Sequence, residues 1–352
     1  MNKNYLLLLI ITVVQIYSCK KSGMDNSVMH VSTISTGPDV YVAGSANGLA
    51  VYWKNDSIVY PPGGGNLAGI YASGNDVYVG GTVNKPGGNP GVAYWKNDSL
   101  VTMYDGSNGV GVTYLTSFFV SGNDVYVGGM AFKAGSIFPI PVPVYWKNDS
   151  LVTLPLSDGT NQATVNSLYV SGNDVYVAGF ELINSPINDQ AIYWKNGVPV
   201  ILIDTNYSPI GGNYINFKSA TSIFISGNDV YVAGDQNVAE YWKNGNPVIL
   251  YDSTLANATS IYVSGNDVYV AGTVYNGTHN VAKYWKNGTP VSLTDGSQDA
   301  SATSIYVFGD DVYVTGIENN GFAAAKYWKN GKPVILSNVF ANATFTTSIF
   351  VK

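Results

Sequence analysis

The sequence predicts an all-β protein: seven four-stranded antiparallel blades arranged as a β-propeller and closed by the C-terminal strand. Three observations carry this. The string YWKN occurs seven times, with its tryptophan at Trp53, Trp95, Trp146, Trp194, Trp242, Trp285 and Trp328, and these are all the tryptophans of the 352-residue chain. A second string, DVYV, also occurs seven times, beginning at Asp39, Asp76, Asp124, Asp174, Asp229, Asp267 and Asp311. Between them lie short β-branched and aromatic runs punctuated by Gly-Asn and Asn-Gly pairs, which suit strands joined by two-residue hairpins. Four such strands repeating every ~40–50 residues are the mark of a propeller.

The unit around Trp285 gives the elements in order. Residues 260–263 read as strand A, 267–272 as strand B, 281–286 as strand C and 290–293 as strand D. Gly265-Asn266 and Asn287-Gly288 supply the turns. The first three units carry Asn-Asp in the second turn, at 55–56, 97–98 and 148–149, and both residue types tolerate the left-handed region. Both strand faces are apolar, as stacked blades require. The tryptophans are accordingly read as structural, filling the space between blades rather than displaying seven sugar platforms. The chain ends on Ser348-Ile349-Phe350-Val351, a copy of strand A with nothing after it. Residues 348–351 are therefore expected to pair with 39–43 and complete the first blade, which removes two sheet edges at once.

In a meander the A–B and C–D turns lie on one face, and the B–C and D–A connections on the other. The first pair is short and uniform. The B–C gap, from the strand-B glycine to the tyrosine of YWKN, runs through 7, 12, 15, 13, 6, 11 and 10 residues. Variable loops on a fixed scaffold are where binding sites usually sit. Candidate binding residues on that face are Tyr104, Asp105, Phe138, Asp158, Tyr207, Tyr214 and Tyr275. Asp105 and Asp158 belong to a recurrent strand-D exit, with Asp204, Asp252 and Asp295, that reads first as a side-chain-capped turn. The strand-B aspartates likewise read as hairpin caps rather than a cation ring.

Composition narrows the partners. All 17 basic residues are lysine, and the net charge is −6. Arginine is the group of choice for phosphate and base-edge contacts, so nucleic acid is not an expected partner. The two histidines, His30 and His279, are far apart, and glutamate occurs only at 181, 240 and 318. No catalytic or metal-binding constellation stands out, so no enzyme activity and no cofactor are expected.

The N-terminus has a charged start, Met1-Asn2-Lys3-Asn4, and an apolar run from Tyr5 to Ile16. That run is too short to span a bilayer comfortably and has the build of a secretory signal. It ends Ile16-Tyr17-Ser18-Cys19, which resembles the bacterial lipobox, with Tyr17 bulkier than the usual residue. The resemblance implies a signal peptide over 1–18, a lipidated Cys19 with a tether over 19–30, and the propeller over 31–352. It also implies a lipid-anchored cell-envelope protein, and Lys20 rather than Asp after the cysteine fits sorting to the outer membrane, facing either the periplasm or the surface. The repeat units are similar to bacterial propeller repeats with a Val-x-Gly strand, an aromatic-Trp strand and an Asn-Gly hairpin. Gly80-Gly81 and Gly128-Gly129 add a kelch-like double glycine. Such a likeness speaks to fold and not to activity. The reading is thus a monomeric, non-enzymatic lipoprotein that binds a protein or glycan through its variable-loop face. The alternatives are a carbohydrate-active enzyme, of hydrolase or lyase type, built on aspartates of that face, and a purely structural envelope component.

Overall fold

The computed structural model describes residues 37–55, 57–84, 90–104, 110–133, 141–157, 162–183, 188–203, 218–236, 238–251, 255–319, 323–336 and 344–352. Cys19 and the rest of the N-terminal segment lie outside them, as do Asp105, Phe138, Asp158, Tyr207 and Tyr214. The described residues hold 28 strands and no helix, sorted into seven four-stranded antiparallel sheets. Blade 6 has strand A at Ala256–Ser264, B at Asp267–Tyr275, C at Asn280–Lys286 and D at Thr289–Ser292. Strand A is longer than the sequence predicts. It continues past a bulge between Ala258 and Ser260, where pairing with strand B shifts register.

Blade 1 is built from both ends of the described chain. Thr344–Val351 pairs with Val40–Ala46, with Val40 opposite Val351 and Val42 opposite Ile349. Backbone bonds between Asp39 and Lys352 extend the ladder at 2.8 and 3.1 Å. The expected closing strand is therefore present in the expected register.

The two hairpin types differ in backbone. In the A–B turns the glycine alone is left-handed, as at Gly172 and Gly265 (both φ 59°), which fits a type II′ turn. In the C–D turns of blades 2, 4, 5, 6 and 7 both central residues are left-handed, as at Asn287 (φ 50°) and Gly288 (φ 81°), which fits type I′. Asn97 and Asp98 do the same at 48° and 64°, so that Asn-Asp pair makes the expected turn, whereas at 148–149 only Asn148 is left-handed (54°) and Asp56 lies outside the described residues.

The bulge explains the glycine of every Val-x-Gly. At Gly179 an added Cβ would sit 1.9 Å from the backbone oxygen of Thr164, and at Gly272 2.0 Å from that of Asn257. Strand A crosses too close for any side chain there. The bulged residue in turn stitches neighbouring blades. Thr116 Oγ1 donates to the Val165 carbonyl at 2.6 Å, Thr221 to Ala258 at 2.8 Å and Thr259 to Ala302 at 2.9 Å. The next residue accepts across the same seam: Ser117 Oγ from the Leu168 amide at 2.8 Å, Ser260 Oγ from the Ile305 amide at 3.2 Å.

The core lies between blades. Each of seven apolar clusters draws on two adjacent blades and holds one tryptophan, at most 1% exposed. Trp194 Nε1 donates to the Pro155 carbonyl at the strand-D exit of the blade before it, at 2.8 Å, and Trp95 does the same to Pro62 at 3.1 Å.

Strand A lines the axis. One aromatic side chain from each blade meets the next around it: Phe350, Tyr71, Phe119, Tyr169, Phe224, Tyr262, Tyr306 and back to Phe350. Neighbouring ring centres are 4.7–4.9 Å apart, except for 6.2 Å between Tyr71 and Phe119. These seven half-buried rings form a closed collar.

Candidate functional site

The two faces of the ring are chemically unlike. On the hairpin face, Asp, Lys, Asn and Tyr of DVYV and YWKN form one clamp per blade. In blade 5, Asp229 Oδ2 meets Lys243 Nζ at 2.8 Å, while Oδ1 accepts from Asn244 Nδ2 at 2.8 Å. Asn244 Oδ1 accepts from the Val230 amide at 2.8 Å. The lysine lies 5.2 Å from the Tyr231 ring centre. The same set recurs in the other six blades, with Asp–Lys distances of 2.7–3.1 Å. The lysine first, and the asparagine amide second, hold Asp76, Asp124, Asp229, Asp267 and Asp311 below the ordinary carboxylate range. At Asp39 and Asp174 the asparagine is the larger cause. Each of these carboxylates is committed within its own blade.

The loop face carries the variation and much of the exposed apolar surface. Tyr60, Tyr114, Ile203 and Phe345 are at least half exposed there, and Leu182 and Tyr275 are exposed as well. They stand where strand A begins or where strands B and D end. Of the predicted candidates, Tyr275 ends strand B of blade 6, and its hydroxyl donates to the Gly277 carbonyl at 2.9 Å. Tyr104 ends strand D of blade 2 and turns inward, its ring 6.1 Å from Trp146, so it caps the seam between blades 2 and 3. Asp295 is a turn cap: Oδ1 accepts from the Ser297 amide at 2.9 Å and hydroxyl at 2.7 Å, which lowers its pKa. Sequence reasoning missed Tyr60, Tyr114 and Phe345 because nothing in a strand-edge tyrosine or phenylalanine distinguishes a displayed ring from a packed one.

Ionisable groups away from the clamps are dispersed. His279 Nδ1 lies 3.8 Å from Asp299 Oδ1, and the Asp299 carboxylate also accepts from the Asn280 amide at 2.8 Å. Glu181 is fully buried and accepts from the Ser157 amide and hydroxyl. Glu318 is paired with buried Lys326. Burial raises the pKa of Asp189. Among the described residues no three His, Cys, Asp or Glu side chains gather as metal ligands.

No family model matches the sequence, and no curated protein matches it. Solved structures do. A Mycobacterium tuberculosis puromycin-hydrolyzing peptidase is similar over 78% of this chain and 47% of its own, with a TM-score of 0.52 at 9% identity. Pyrococcus horikoshii acylaminoacyl peptidase is similar over 85% of this chain and 50% of its own, with a TM-score of 0.49 at 11% identity. The chain spans about half the length of either protein. A likeness at this level is one of propeller fold.

Proposed function

We propose that this protein is a non-enzymatic binding lipoprotein of the bacterial cell envelope that engages a protein or glycan through its loop face. The contrast between the faces carries the reading. One face spends its polar side chains on seven copies of an internal clamp. The other varies loop by loop and leaves aromatic and aliphatic side chains in water, as recognition surfaces do. The lipobox-like Ile16-Tyr17-Ser18-Cys19 supports an anchor at Cys19, and Lys20 after it fits attachment at the outer membrane.

Two measurements test it. The full-length protein is screened on a glycan array and by pull-down from an envelope extract, beside a variant carrying Tyr60→Ser, Tyr114→Ser and Tyr275→Ser. Retained targets should be lost from the variant, while changes confined to the hairpin face leave them bound. Binding that survives the loop-face changes and fails with hairpin-face ones would reverse the assignment. Separately, Cys19→Ser should abolish acylation detected by intact mass, and an unmodified wild-type cysteine would remove the anchor.

A further inference from the structure

The rim of the ring carries a second recognition element, and it does not depend on the loop face. Strand D is the outer edge of every blade, and an edge strand offers unpaired amides and carbonyls to another strand. Six of these edges are guarded. In blade 4 the Leu202 amide bonds back to the Ala191 carbonyl at 3.0 Å. Amides alternate sides along a strand, so the backbone nitrogen three places earlier faces outward. That place is held by Pro199, and its equivalents by Pro247, Pro290 and Pro333, each opposite its blade's tryptophan. A proline there removes an outward donor and leaves the sheet behind it intact. Blades 1 and 3 have short outer strands, Ser57–Val59 and Ser150–Thr153, and each reaches a proline two residues later, at Pro61 and Pro155.

Blade 2 departs from the other six. Its outer strand, Ser99–Tyr104, has no proline in it or in the two residues after it, and none of its residues is charged. Leu100 takes the guarded place, opposite Trp95. Leu100 is 44% exposed and Val101 38%, with Ser99 and Thr102 exposed beside them. A register shift at buried Met103 ends the flat stretch, so the backbone groups of Leu100 and Thr102 are the ones that face out. A neutral edge of this kind is complementary to itself. Antiparallel pairing about a twofold axis at Val101 sets Leu100 of one chain opposite Thr102 of the other, which satisfies the outward groups of both. It also sets the two Val101 side chains next to each other, a favourable β-branched pair. The Asp98 carboxylates then stand at opposite ends of the ladder, about 20 Å apart and beyond the screening length. An edge this short makes a weak pair, formed where the chain is concentrated and separated on dilution.

We infer that the outer strand of blade 2 pairs with the same strand of a second copy of this chain. Contact at the rim leaves both faces of each ring uncovered, so the pairing and the loop face act separately. The test uses the full-length chain in detergent with Cys19→Ser, so that an added cysteine is the sole thiol. Val101→Cys is compared with Val248→Cys, the equivalent place in blade 5, which is 37% exposed and follows Pro247. Both are oxidised with copper–phenanthroline, and linked dimer is read on a non-reducing gel. Val101→Cys should link about tenfold faster or more, because pairing holds its two thiols together. Leu100→Pro in the Val101→Cys chain should cut that rate about tenfold or more by removing edge hydrogen bonds. It introduces only what four blades already carry at this place, and an unchanged urea midpoint verifies its fold. Thr102→Lys, which puts a charge on the edge, is the second variant should the first not fold. Equal linking rates at positions 101 and 248, or a Val101→Cys rate untouched by the folded edge variant, would overturn the pairing.

Discussion

At the scale of single residues, the informative positions are those where one blade departs from the other six. Strand A carries isoleucine or leucine before the collar aromatic in most blades, but Phe118 in blade 3. Its ring projects into blade 2, where an added Cβ at Gly80 would lie 1.9 Å from Phe118 Cδ2 and one at Gly69 3.0 Å from Phe118 Cβ. The kelch-like double glycine at Gly80-Gly81 thus has two separate causes. Gly81 is required by the bulge, with the Asn66 carbonyl oxygen 2.4 Å from its would-be Cβ, and Gly80 makes space for a phenylalanine. Gly80→Ala should therefore cost about 1–3 kcal/mol through overpacking. The same change in a Phe118→Ile background should cost less by about 1 kcal/mol or more, because the two residues share one volume. Urea unfolding of the four proteins of this cycle checks it, and strict additivity would show that the pair does not share that space. The double glycine was legible in the sequence as a motif. Its cause was not, because the residue that demands it lies 38 positions away in another blade.

At the scale of elements, the hairpins were the most readable part. Two-residue Gly-Asn and Asn-Gly loops fix register, and the strands they join fall where the dipeptides place them. Strand A was only half readable, because its bulge breaks the alternation that reveals a strand. Thr259 and Ser260 look like a polar interruption in the sequence, yet they bond across to blade 7. The clamps make a prediction at this scale. Their aspartates titrate below the ordinary range in the folded protein, so the stability they contribute is present above pH about 4 and is lost as the pH falls through their folded values. Urea midpoints followed downward from pH 6 should fall below about pH 4. Asp229→Asn with Asp267→Asn should flatten that fall, since an amide cannot take up the proton. An identical pH slope in the two proteins would show that the clamps do not govern acid sensitivity. The lysines respond in the opposite sense. Lys243 and Lys286 are held above their ordinary range by Asp229 and Asp267, so their share persists at neutral pH and is lost only in strong alkali.

At the scale of the whole molecule, the blade count and the closure were legible because a repeat that ends on an unaccompanied strand A leaves one partner free. The loop face was legible only as a place. Most of the residues chosen on it lie in loops whose composition reveals polarity and length but not where a side chain points. Closure is also the step on which the ring depends. Thr344–Val351 supplies the innermost strand of blade 1 and the inner wall between blades 7 and 2. Ile349 and Val351 are buried in the cluster that holds Trp53, and Thr303 of blade 7 bonds to Thr346 at 2.9 Å. A chain ending at residue 343 would leave Val40–Ala46 as a bare edge beside two exposed blade faces, the arrangement that invites aggregation. Such a chain should lose the cooperative unfolding transition of the full-length protein and elute as aggregate in size-exclusion chromatography. A peptide of residues 344–352, added during refolding, should restore part of the monomer peak by pairing with the same edge. If the shortened chain instead unfolds at the same urea midpoint as the intact one, the ring does not need its closing strand, and stability resides in the individual blade seams.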